Sequence, residues 1–268
     1  MNELLQSPII LNDNCWYFLS LFYAREKWAD LITEIRHYHQ ERQDRFCNCL
    51  ISFSGEKGEH LQVVFAAPCN DGNDYTDEIQ QHFQSFFERK PSISSTPFPY
   101  GKAVWCNYPN NSLTWNKFKL PDYSDQYIRF HQQTMDVALE LLADDFSADS
   151  FFSAGIYLIN KSLSCIDKDK QKNALSQAFY ETSIGSPHFV YTVKELIKEI
   201  NIHEMAEIIK SYWNENQGDF SAELINWLNE AKGITQRYSF YTLCSFICKI
   251  TGLSELRQLV ILELLNLV

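Results

Sequence analysis

Long apolar runs are missing from this 268-residue chain, and no stretch approaches the roughly 18 consecutive apolar residues of a membrane-spanning helix. Basic charge is scarce as well. Lys and Arg number 23 against 34 Asp and Glu, a formal net charge of −11. A nucleic-acid surface needs clustered cations to neutralise phosphate, so direct nucleic-acid binding is not expected. The phosphate-cradling glycine loop, the dinucleotide-binding glycine fingerprint and the Gly-x-Ser-x-Gly elbow are absent, as are internal repeats and low-complexity tracts. The opening Met-Asn-Glu-Leu-Leu has neither a charged n-region nor an apolar h-region, so no signal peptide is expected.

Eight cysteines are present: Cys15, Cys47, Cys49, Cys69, Cys106, Cys165, Cys244 and Cys248. Without a secretion signal an even count is weak support for disulfides, and most read as reduced, buried small hydrophobes. The chain is therefore expected to be soluble and cytoplasmic. With 45% apolar and 15% aromatic residues it has the material for a sizeable core.

Residues 1–13 show no periodicity. The aromatic and aliphatic run Cys15–Tyr23 reads as a mostly buried strand, and Trp28, Leu31, Ile32 and Ile35 recur at helical spacing between Arg25 and about Gln43. Arg45–Phe65 reads as two strands joined by a turn at Gly55–Gly58. Strand side chains alternate, so His60, Gln62 and Val64 share one face and Leu61, Val63 and Phe65 the other. A helix is predicted over Tyr75–Arg89, a loop over 91–99, and short strands over Tyr100–Cys106 and Leu113–Leu120. After Asp122 the pattern turns helical: 123–142, 146–164, 169–183, 190–199, 203–214, 221–232, 238–251 and 254–266, with Gly252 placed as a C-cap. The fold class is α+β: an N-terminal mixed or antiparallel sheet with flanking helices over 1–120, then a largely α-helical 121–268, within one domain.

No metal site is expected. Cys47-x-Cys49 lacks two further ligands at zinc spacing, Cys244-x-x-x-Cys248 sits among core residues, and His37-x-His39 splays about 200° on a helix. Two places carry chemical promise. His60 and Gln62 share a strand face beside the glycine turn. Tyr123, Tyr127, Arg129 and His131 crowd the start of the first long helix, where a guanidinium suits a carboxylate. Their plainer readings are a hydrogen-bonded rim histidine for His60 and a surface ion pair for Arg129.

The order of these features resembles the thiopeptide-type bacteriocin biosynthesis domain, the C-terminal, glutamate-eliminating part of class I lantibiotic dehydratases. That domain also occurs as a stand-alone protein and, diverged, as the cyclising enzyme of thiopeptide pathways. Trp16–Phe22 is similar to the family's opening strand, and Gly58–Phe65 to its His-Leu-Arg-Leu-Arg strand. Tyr123–Phe130 resembles its Tyr-x-x-Glu-x-x-Arg-Tyr segment, with Arg129 on the arginine, and Leu243–Leu253 a helix carrying His-Met and Asn-Arg pairs. The resemblance implies removal of glutamate from glutamylated Ser or Thr, a reaction that needs a base and cations for the glutamate. At the matching positions stand Gln62, Val64, Cys244 and Cys248-Lys249, and Arg129 survives. The expectation is therefore a stand-alone protein of ribosomal peptide modification that binds precursor peptide or a separate glutamylating dehydratase subunit, with standard elimination put in question. The alternatives are an active glutamate-eliminating lyase or a diverged cyclising enzyme. If the protein is catalytic, Arg129 would anchor a carboxylate and His60 act as acid or base. Gln62, Tyr123, Tyr127 and His131 would bind substrate. No cofactor is expected, and exposed aromatics leave a homodimer open.

Overall fold

A computed structural model describes residues 8–55, 58–69, 74–93, 108–115, 117–185, 187–199, 207 and 222–267. The chain divides into two compact units, Met1–Pro121 and Asp122–Val268.

The first unit is built on β2 (Asn14–Phe22), whose residues Trp16–Phe22 are all buried. It pairs antiparallel with β4 (His60–Pro68), and β4 with β3 (Asn48–Ser54). On the other edge of β2 lie β1 (Ile9–Leu11) and β5 (Ser112–Trp115), each pairing with a different part of it. Every pairing is antiparallel, and β2 and β4 are buried on both faces, which explains their near-continuous apolar sequence. Helices α1 (Trp28–Gln40) and α2 (Thr76–Arg89) cover the Leu61–Val63–Phe65 face. Trp28 stacks on Phe53 at 5.4 Å, and Tyr38 meets Phe65 edge-on at 5.4 Å and Phe83 at 5.6 Å. These rings are almost fully buried, and each large side chain of this kind contributes roughly 2–3 kcal/mol by transfer from water.

The second unit contains α3 (Asp125–Leu142), α4 (Ala148–Ser162), α5 (Lys168–Gly185), α6 (Pro187–Glu199), α7 (Ala222–Arg237), α8 (Phe240–Thr251) and α9 (Glu255–Leu267). Serine N-caps start three of them. Ser124, Ser147 and Ser239 each accept from the backbone N–H three residues on. Gly252 ends α8 at φ 69°, where a left-handed residue suits glycine. Trp227 is the central anchor. It is fully buried, stacks on Phe130, and its indole N–H donates to Thr134 Oγ1 at 2.9 Å.

Two expectations change. The segment 1–13 is not featureless: Ile9–Leu11 pairs with Asn14–Trp16 through a two-residue turn in which Asn12 and Asp13 take φ 52° and 60°. Both are residues that tolerate this conformation, which gives the type I′ geometry matched to sheet twist. Not every cysteine is a free thiol either. Cys15 and Cys69 form a disulfide with their Cα atoms 5.4 Å apart. Sheet register brings them together: Cys15 faces Ala67, and the Cys69 N–H donates to the Asp13 carbonyl. The strand expected at Tyr100–Cys106 and the helix at 203–214 lie outside the described residues, apart from position 207.

Candidate functional site

The sheet face opposite α1 and α2 carries His60 and Gln62. Register places Gln62 of β4 opposite Ser20 of β2 and Ser52 of β3, and Ser20 opposite Thr114 of β5. Thr114, Ser20, Gln62 and Ser52 thus form one polar row across four strands. Below it on the same face, Phe18, Val64 and Leu50 are apolar. Ser20 is 1% exposed, yet among the described residues its Oγ and the buried Thr114 Oγ1 make no hydrogen bond. A buried hydroxyl without a partner costs about 1–3 kcal/mol, and native structures keep few of them. Such a row can donate to and accept from a neutral amide or carbonyl. It carries no cation to balance a carboxylate.

His60 begins the next row, between Phe22 and Ser54. It is 4% exposed, its ring lies 4.5 Å from that of Phe22, and Nδ1 is 2.8 Å from the Gly58 carbonyl. A carbonyl only accepts, so Nδ1 carries the hydrogen and the lone pair of the neutral ring sits on Nε2. The turn thereby sets the tautomer a general base at Nε2 would require.

In the second unit, α3 carries three of the four expected site residues and sets Arg129 on a different face from Tyr127 and His131. Tyr127 and His131, one turn apart, are both 1% exposed, with the Tyr127 hydroxyl 3.3 Å from His131 Nδ1. Tyr127 also packs edge-on against Phe246 of α8. Burial, with the charge of Asp122 adding, pushes the Tyr127 hydroxyl far above its ordinary range, so it stays a neutral donor. Arg129 points away from this pair. Its Nε donates to Glu230 of α7 at 3.0 Å, an exposed ion pair that uses one edge of the guanidinium and leaves its fork of Nη atoms for another acceptor. Tyr123 is half-buried just before the helix, its N–H donating to Asp122 Oδ1 at 2.7 Å.

Asp122 was not singled out from sequence, yet it organises this corner. Its Oδ2 accepts from the hydroxyls of Tyr238 and Ser124, and its Oδ1 from the backbone of Tyr123 and Ser124. Burial raises the carboxyl, but the bonds from Tyr238 and Ser124 outweigh it and hold it below the usual carboxylate value. Cys244 and Cys248 are buried in α8, and desolvation raises both thiols, which keeps them protonated and inert at neutral pH. Among the described residues no cluster of His, Cys, Asp or Glu has metal-binding geometry, and no helix is long and apolar enough to cross a membrane.

No family model and no curated protein matches the chain. Among solved structures it is similar to TbtD, a pyridine synthase from thiomuracin biosynthesis. The TM-score is 0.59 at 12% identity, over 94% of this chain and 96% of that one. The two chains share a fold. The likeness spans both units. At 12% identity it speaks for architecture, and the chemistry has to be argued from the side chains.

Proposed function

We propose that this protein acts in thiopeptide-type modification of a ribosomally made peptide, binding the precursor peptide without performing standard glutamate elimination. The observation that carries this reading is the neutral row Thr114–Ser20–Gln62–Ser52, set in a fold shared end to end with a pyridine synthase. Elimination needs cationic groups to hold the glutamate, and the resembled strand supplies them as arginines. Gln62 offers hydrogen bonds without charge, and Val64 offers neither. Losing groups that act as a unit costs several orders of magnitude in rate. Neutral donors and acceptors instead suit a peptide backbone. Arg129, oriented by Glu230, then anchors a peptide carboxylate, and His60 stands as the acid or base. A ring-forming reaction on a dehydrated peptide is the second reading, favoured by the pyridine synthase likeness.

The test uses the full chain with a short precursor peptide encoded beside its gene, in three forms: unmodified, glutamylated on Ser, and dehydrated. Binding is followed by calorimetry and products by mass spectrometry. The reading expects binding and no loss of glutamate. Ring closure on the dehydrated form would establish the second reading. Rapid glutamate loss, or no binding to any form, would overturn the proposal.

A further inference from the structure

Apart from the sheet row and α3, the second unit carries a surface cleft of about 570 Å³. It lies between the start of α5, the last turns of α7 and the first turn of α8. Two lysines from different helices, Lys170 and Lys232, face it against a single carboxylate, Asp167. Lys170 already holds Asp167 at 2.6 Å. Lys232 has no carboxylate within ion-pair distance among the described residues, and its charge acts on Asp167 and on the Cys165 thiol. The side chains lining the cleft therefore carry one more cation than carboxylate, on a chain of net charge −11. The N-terminal ends of α5 and α8 open onto the same space and favour an anion, while the C-terminal end of α7 opposes it. Asp169 also acts on Lys170 without lining the cleft, and Asp122 stands behind Tyr238 with its oxygens occupied.

The rest of the wall decides the ligand class. Ile166, Ala174, Phe240 and Tyr241 give the cleft an apolar part beside its lysines. An inorganic anion would leave that surface wet, whereas a peptide alternating acidic and apolar side chains satisfies both. We infer that this cleft binds an acidic, partly apolar peptide segment, its carboxylates meeting Lys170 and Lys232. That the ligand is a peptide rests on the function proposed above; that it is an anion does not.

The probe is a synthetic, fluorescein-labelled hexapeptide alternating glutamate and leucine, acetylated and amidated, titrated by anisotropy into the full-length protein at low salt. The double variant Lys170→Gln/Lys232→Gln should bind it at least tenfold more weakly. The control Lys194→Gln/Lys198→Gln removes the same charge from α6, including a similar exposed lysine–carboxylate pair, and should bind as wild type. Binding should also slow alkylation of Cys165, half-buried in the cleft wall, read by mass spectrometry on the fragment that carries it. Equal losses in the two double variants would overturn the site, as would unchanged Cys165 alkylation at saturating peptide. Displacement of the probe by equimolar inorganic phosphate would overturn the peptide assignment. The probe does not depend on the precursor peptide, so its failure and failure of the proposed function are separately visible.

Discussion

Replacing Ser20 with alanine tests whether the polar row is held open for a ligand. Among the described residues Ser20 Oγ is buried without a hydrogen bond, and so is its cross-strand neighbour Thr114 Oγ1. A polar group left in this state costs about 1–3 kcal/mol, and a serine-to-alanine change loses little packing in return. Ser20→Ala is thus expected to stabilise the protein by about 1 kcal/mol, raising the melting temperature by about 2–4 °C. Urea and thermal melts followed by far-ultraviolet circular dichroism measure this directly. Thr114→Val, a near-isosteric change, should act in the same direction. The double variant discriminates further. If the two hydroxyls in fact bond to each other, each single change orphans its partner and destabilises, while the double change recovers stability. That pattern, or a loss above 1 kcal/mol for Ser20→Ala alone, would refute the reasoning. The functional half is that Ser20→Ala should weaken precursor binding while the fold grows firmer, a trade expected where a site retains unpaired polar groups.

Three further outcomes are expected. Arg129→Ala breaks an exposed ion pair and should change stability by less than about 1 kcal/mol while weakening peptide binding several-fold; binding equal to wild type would show that Arg129 takes no part in peptide binding. Burial lowers the pKa of His39 and of His82, where Arg42 and Arg89 add to the effect and Glu34 opposes it. The folded state therefore binds these protons less readily than the unfolded chain, so stability is complete above the ordinary histidine value of 6.5 and falls as pH drops below it. Urea melts at pH 7.5, 6.5 and 5.5 should show the decline, His39→Asn/His82→Asn should flatten it, and a rise on acidification would contradict the assignment. Gly155→Ala should cost about 1–3 kcal/mol, because a Cβ there collides with Leu253 Cδ1 and lies 3.2 Å from Ile261 Cδ1 in a packed region; an unchanged melting temperature would show that Leu253 moves aside freely.

Much of the architecture could be read from local pattern. The central strand announced itself through the run at Trp16–Phe22, and the C-cap through Gly252. What escaped depended on register or on short elements. Strand β1 is three residues long, too short for periodicity to register, although Asn12-Asp13 was a usable turn signal. The Cys15–Cys69 disulfide joins residues 54 apart in sequence, and only the pairing of β2 with β4 reveals their proximity. The same holds for the site. Gln62 could be flagged by its position, but Ser20, Ser52 and Thr114 gain meaning only when three registers align them. The α3 cluster is a different case, because the arithmetic was available. At about 100° per residue, Tyr127 and His131 share a face while Arg129 lies about 160° away from either, so the four residues could not form one constellation.

That separation bears on how chemistry can differ between chains that share this fold. Each candidate residue here is fixed by a particular neighbour, some within its own motif and some from another element. His60 is tied to the turn carbonyl of Gly58, Arg129 to Glu230, Tyr127 to His131 and Phe246, and Asp122 to Tyr238. The supporting contacts are therefore distributed, while the charge of the sheet row is set by a few side chains that point away from α1 and α2. Replacing a cation in such a row with glutamine leaves the strand pairing and the opposite, aromatic face of the sheet untouched. The fold persists at 12% identity, so the side chains of such a row can change without loss of the architecture. Gln62→Arg offers the converse experiment. It should fold, because Gln62 is half-buried rather than enclosed, and its added cation should shift preference from the dehydrated or unmodified peptide toward the glutamylated one. Unchanged preference in a folded Gln62→Arg protein would mean that the row does not read the substrate.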